Sequence, residues 1–275
     1  MKISFLLFAS LISSAVFAQI ETKKIADSII AEAKEIYRSE MASWYGSEIF
    51  EEKFKQQKQN TGGHFSYKVS PAQTNCVFFS TANDPKVLAT IIFDSNYISA
   101  KAQIDSKQRE FTLVEKDLYS LQKAAVHEVK ITAFFKEHKN TNFNFVPLIQ
   151  NGEKKVYILT SARDDRSIIL GSDYLLTFNS ENKLISKKQL HPNFVSVKYD
   201  KTTDNPTTTA HRHASPYSDF ITPTDICTLM LYEKFIKWEK HMVVSKDWTS
   251  IWDCQANTLT INKSNIWNKL NFNNQ

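Results

Sequence analysis

The apolar residues of this chain change their period at Asn140, and that change limits the fold more than any other feature. Between Thr22 and Trp44, Ile25, Ile29, Ile30, Ala33, Ile36, Tyr37, Met41 and Trp44 recur three and four apart. That spacing lines up one face of a helix. After Asn140 the apolar residues alternate instead, over 143–149, 156–160, 168–170, 174–178, 184–189 and 194–199, as half-buried strands do. A helical bundle has no place for the second pattern and an all-β sandwich none for the first, so the class is α+β.

Finer signals fill in the order. Residues 76–80 and 87–93 read as strands. Thr112-Leu113-Val114-Glu115 has the form of a capping box and opens a long central helix to about His138. Asn179-Ser180-Glu181-Asn182 supplies hairpin chemistry. Thr222-Pro223-Thr224-Asp225 starts another helix through Trp238, strands follow over 242–245, 250–253 and 258–261, and a short helix over 264–270 closes the chain. The expected architecture is an N-terminal helix with strands, a long central helix, then a largely antiparallel sheet with a packed helix in the C-terminal half. Residues 19–140 and 141–275 read as two lobes, although no linker separates them and one composite unit fits as well.

Residues 1–18 combine Lys2, a short apolar run from Ile3 to Ile12 and small residues up to Ala18. This is the form of a secretory signal peptide cleaved before Gln19, too short to serve as a membrane span. The expectation is an exported protein, periplasmic or secreted, with no membrane-spanning segment. An oxidising compartment favours pairing two of Cys76, Cys227 and Cys254, and Cys76 with Cys254 is the pairing expected, with Cys227 in an apolar run as the free thiol.

Composition removes several function classes. With 42% hydrophobic residues, 19 Phe, 10 Tyr and 5 Trp, the chain can bury a core and is not disordered. The formal charge of +5 is scattered, Lys and Glu interleave over 51–58, and no basic stripe calls for nucleic acid. Only 5 glycines leave no phosphate-cradling loop, and Gly-x-Ser-x-Gly and Cys-x-x-Cys are absent.

The segment Thr207-Thr208-Thr209-Ala210-His211-Arg212-His213 is the best candidate for chemistry. In an extended strand His211 and His213 share a face. With Asp225 at the next helix start they make three zinc ligands, and a water in the fourth position would become a nucleophile near neutral pH. Asp225 is equally explained as a helix-start residue that complements the dipole.

The order His211-x-His213, eight residues, Thr222-x-x-Asp225 resembles the JAMM (JAB/MPN) metallopeptidase family, whose motif has seven intervening residues and Ser in place of Thr. The helix and strands after Asp225 echo that family as well. The resemblance implies zinc on His211, His213 and Asp225, Thr222 as a donor to the reacting oxyanion, and Glu153 as general base. The chain as a whole also resembles exported proteins common in Bacteroidota, which implies location and no activity. His64, His127, His138 and His191 read as exposed or cap-adjacent residues without a special role. Two functional readings stand: a non-catalytic binding or envelope-associated module for a peptide or cell-envelope ligand, and a zinc-dependent hydrolase of peptidase or isopeptidase type.

Overall fold

In the computed structural model, which describes residues 4–164, 166–198, 207–213 and 217–264, the chain is α+β. Helix α1 (Ser4–Lys53) runs well past both ends of the apolar stripe that predicts it. Strands β1 (Thr61–Ser70), β2 (Gln73–Ser80), β3 (Val87–Asp94) and β4 (Gln103–Asp105) form an antiparallel sheet in that order. Helix α2 (Leu113–Ile131) follows, opened by the expected capping box of Thr112 and Glu115.

The strand-period half then builds β5 (Thr141–Gln150), β6 (Glu153–Ala162), β7 (Ser167–Gly171), β8 (Tyr174–Phe178), β9 (Leu184–Gln189) and β10 (Phe194–Lys198). Strands β5-β6-β8-β9 make a second antiparallel sheet, and β7 pairs with β10 apart from it. The last sheet has the order β11 (Thr207–Arg212), β12 (Trp238–Val244), β13 (Trp248–Asp253), β14 (Thr258–Lys263), and α3 (Pro223–Ile236) lies between its first two strands in sequence. Strands β11 and β12 pair in parallel, with His211 opposite Val243 and Thr209 opposite His241. Such a pair needs a crossover connection, and α3 provides it.

Four details depart from the sequence expectation. Helix α3 ends at Ile236, where Lys237 turns left-handed, and Trp238, expected inside the helix, opens β12. The central helix stops at Ile131 and does not reach His138, because Thr132 turns extended and Phe135 leaves the helix axis to bury against Tyr174. Strand β1 forms over Thr61–Ser70, where no strand is expected, and within it Gly63 takes φ 141°, a conformation that L side chains rarely adopt. The cysteines are unpaired: all three are free and buried, Cys76 in the cluster around Phe78 and Ile91, Cys254 in the one around Trp238 and Trp252. Burial also pushes the Cys76 and Cys254 thiols up to about 12, which keeps them protonated. The short helix expected over 264–270 lies outside the described residues after Ser264.

Packing runs across Asn140. One apolar cluster joins Ile36, Ala42 and Phe50 of α1 and Phe78 and Ile91 of the first sheet to Val146, Tyr157 and Leu159 of the second and Cys227 and Leu231 of α3. A second cluster joins Ala33 of α1 to Ile226 and Leu229 of α3 and to Trp238, Val243 and Trp252. Helix α1 therefore braces α3 from behind, and α3 carries a residue of the candidate site. Among the described residues no helix is long and apolar enough to cross a membrane.

The contact of α1 with β2 is close: a Cβ on Gly46 would lie 2.7 Å from Cys76 Sγ and 2.9 Å from Cys76 Cβ. Gly46→Val should therefore destabilise by about 2–3 kcal/mol through overpacking. Urea denaturation should show a lower midpoint at unchanged slope, and an unshifted midpoint would mean that α1 stands off from β2.

Candidate metal centre

Strand β11 ends at His211-Arg212 with His213 the next residue, and the alternation of side chains turns both imidazoles inward. After Phe220 the chain enters α3, where Thr222 caps the first turn: its hydroxyl accepts from Asp225 N at 3.2 Å while Asp225 Oδ2 accepts from Thr222 N at 2.8 Å. That reciprocal cap fixes the Asp225 carboxylate. The loop after β9 adds His191, and the ligand-capable atoms of His191, His211, His213 and Asp225 all lie within 4.8 Å of one another. All four residues are buried, Asp225 completely.

The two expectations for Asp225 turn out to use different oxygens. Oδ2 serves the helix start, accepting from the Thr222 backbone N and hydroxyl at 2.8 Å each. Among the described residues Oδ1 has no hydrogen-bond partner. It sits 3.2 Å from His191 Nε2, an ion-pair distance without hydrogen-bond alignment, and 3.9 Å from His211 Nε2. The His211 and His213 Nε2 atoms are 2.9 Å apart. These separations bracket roughly 3.3 Å, the edge of a tetrahedron whose centre is about 2.0–2.1 Å from each corner.

The outer nitrogens are held as well. His213 Nδ1 donates to the Phe220 carbonyl at 2.8 Å. His211 Nδ1 lies 2.8 Å from His241 Nε2, and His241 Nδ1 lies 2.7 Å from Thr209 Oγ1. A ligating histidine whose second nitrogen is tethered in this way is oriented before any ion arrives.

Electrostatics follow from burial. Desolvation drives His211 down to about 4 and His241 to about 3, and takes His213 well below its ordinary value. Burial works against charge on His191 and Asp225 too, but each stabilises the other: the carboxylate raises His191, and His191 holds Asp225 well below the carboxylate range. Beside them Asp173, buried at the start of β8, accepts from Thr160 N at 2.8 Å, and burial pushes it up to about 7.

Of the residues singled out from sequence, the fold gathers His211, His213 and Asp225 at one point. It does not bring Glu153 there. Glu153 opens β6, is exposed, and pairs with Lys155 at 2.8 Å, which lowers its pKa and so moves it away from a base poised near neutrality. Thr160, the residue of β6 that touches Asp173, is about 23 Å further along at about 3.3 Å per residue. The Thr222 hydroxyl donates to Asp225 Oδ2, accepts from Asp225 N and lies 3.1 Å from His191 Nε2, so its hydrogen bonding is taken up inside the cluster. His191, expected to be exposed or cap-adjacent, is 3% exposed and belongs to the cluster. His191 and His241 come from a loop and from the parallel partner strand. Only the β11–β12 register places His241, and no sequence spacing reveals His191.

Compared with protein-family models, curated proteins and solved structures, the chain matches none of them.

The buried groups set an acid dependence for the metal-free protein. Histidines 64, 211, 213 and 241 are depressed, so between about pH 6.5 and 4.5 the unfolded chain binds more protons at these four and stability falls as pH falls. Glu40 and Asp173, both raised to about 7, act in the opposite sense over that window. His191 is raised, so its contribution is fully present below its unfolded value of about 6.5 and is lost only as pH rises through its native value. The net excess is roughly two protons on the unfolded side. Thermal melts in chelator should lose midpoint steadily from pH 6.5 to 4.5, and a flat profile would show that these imidazoles are not buried and neutral.

Proposed function

We propose that this chain is an exported, non-catalytic metal-binding module that holds one divalent first-row transition ion, zinc by preference, on His191, His211, His213 and Asp225. The observation that carries the reading is the buried Asp225 carboxylate among three imidazoles: Oδ1, without a hydrogen-bond partner among the described residues, lies beside His191 and His211, and His213 lies 3.7 Å from Oδ2. A buried carboxylate oxygen left without a hydrogen bond is costly, and a cation at that point would supply the missing partner. Three imidazole nitrogens and one carboxylate oxygen form a borderline donor set suited to zinc and not to calcium or magnesium.

Four protein ligands favour holding the ion over hydrolysis. A hydrolytic zinc keeps one position for water, and His191 would fill it. The JAMM-like reading also needs a base near that water, and Glu153 stands at the remote end of β6. Export rests on the leader-like first 18 residues. The ion would join the loop after β9 to β11 and to the start of α3, so its binding energy adds to folding energy.

Purified without chelator, the protein should carry one zinc per chain by elemental analysis. Alanine at His191, His211, His213 or Asp225 should each remove it. The His191 variant decides between the readings: if it retains stoichiometric zinc, three ligands suffice and the site is open in the manner of a hydrolase. If all four variants keep their zinc, the site is not here. Zinc at about 100 times its dissociation constant should raise the melting midpoint by about 5–10 °C. Acidification should release the ion as the imidazoles take up protons.

Mass spectrometry of the protein recovered outside the cytoplasm should give Gln19 as the first residue, or its cyclised form. Recovery there with Met1 to Ala18 intact would defeat cleavage at Ala18.

A further inference from the structure

The geometry assigns a further role, which rests on the metal-binding reading: His241 is a positioning residue that, anchored by Thr209, selects which nitrogen of His211 becomes the ligand. The argument begins at His213. A carbonyl can only accept, so His213 Nδ1 carries a hydrogen toward Phe220 O, and in the neutral ring Nε2 is a bare lone pair. The His211 Nε2 atom is 2.9 Å away and must then supply the hydrogen between the two nitrogens. That leaves His211 Nδ1 as an acceptor, so His241 donates from Nε2, and its own Nδ1 accepts the Thr209 hydroxyl hydrogen. One arrangement satisfies every contact in the metal-free protein.

This arrangement is the wrong one for a ligand, because His211 Nε2 then has no free lone pair. The ligating state reverses the chain: His211 Nδ1–H donates to His241 Nε2, and His241 Nδ1–H donates to Thr209 Oγ1. His211 loses the Nε2 hydrogen as a proton to solvent and receives at Nδ1 the hydrogen that His241 gives up from Nε2. His241 is resupplied at Nδ1 from the hydroxyl of Thr209, which is partly exposed and takes a proton back from water. Both rings begin and end neutral, one proton leaves at the ligand face and one enters at Thr209. Along the relay the heavy atoms need not move, since its two distances, 2.8 and 2.7 Å, serve either direction, while the His211 and His213 Nε2 lone pairs, 2.9 Å apart without the ion, would both turn to it. The structure thus pairs the ligand histidine with a second ring whose two nitrogens can exchange roles, and with a hydroxyl that can donate or accept.

The test uses the full mature protein with zinc as the only added ion. Long-range 1H–15N spectra of the histidine rings should show His211 and His241 protonated at Nε2 without zinc and at Nδ1 with it. His241→Phe, which can neither donate nor accept, should weaken zinc binding by about 10–100-fold. His241→Gln, whose carbonyl can still accept from His211 Nδ1, should recover much of that loss, and Thr209→Val should weaken binding by less than His241→Phe. Circular dichroism melts identify any variant that has merely unfolded, and the tautomer spectra of the unaltered protein stand independently of every variant. Unchanged tautomers on zinc addition, or a folded His241→Phe protein with undiminished affinity, would overturn the role of His241 while leaving the four ligands in place. Failure of the unaltered protein to bind zinc would overturn both readings together.

Discussion

A carboxylate with no exposure to water governs this end of the molecule. Asp225 sits where a charge is expensive, and the surrounding structure reduces the cost from several directions. The first turn of α3 supplies a backbone N–H and a hydroxyl to one oxygen, and His191 lies beside the other. Helix α3 is itself pressed into place by α1, through the two apolar clusters that span the chain. Remove that bracing and the carboxylate no longer has a defined position for the imidazoles to face. The site therefore depends on α1, although α1 contributes no residue to it.

Much of the fold was legible because it is written in local periodicity. The stripe from Ile25 to Trp44, the capping box at Thr112, the helix start at Thr222 and the alternation after Asn140 each depend on residues close in sequence, and each corresponds to an element of the structure. The losses fall where distant residues decide. The end of α2 is set by Phe135 seeking Tyr174, and β1 by pairing with β2, so neither follows from its own sequence. The cysteine pairing expected from compartment and count failed for the same reason, since it required knowing which cluster each thiol joins.

The candidate site divides along the same line. His211, His213 and Asp225 were visible because a strand period and a helix start predict their directions. His191 was not, since a histidine before Pro192 on a loop has no periodic partner. His241 alternates along β12 in a way that could be read, but which strand it faces depends on a parallel pairing across α3. The family resemblance supplied Glu153 by motif order alone, and strand geometry carries that residue away from the cluster.

The parallel pairing of β11 with β12 has a bearing on when the site can exist. A parallel pair forms only after the whole intervening crossover has been laid down, so its contacts come late compared with those of hairpins such as β12–β13 and β13–β14. Until then His211 and His213 are two imidazoles on a loose strand, with His191 and Asp225 held by other segments. A nascent or unfolded chain offers an ion little more than that pair. Tight capture of an ion would thus report that the C-terminal sheet is complete, and would come as a finishing step in maturation instead of a nucleus from which folding starts.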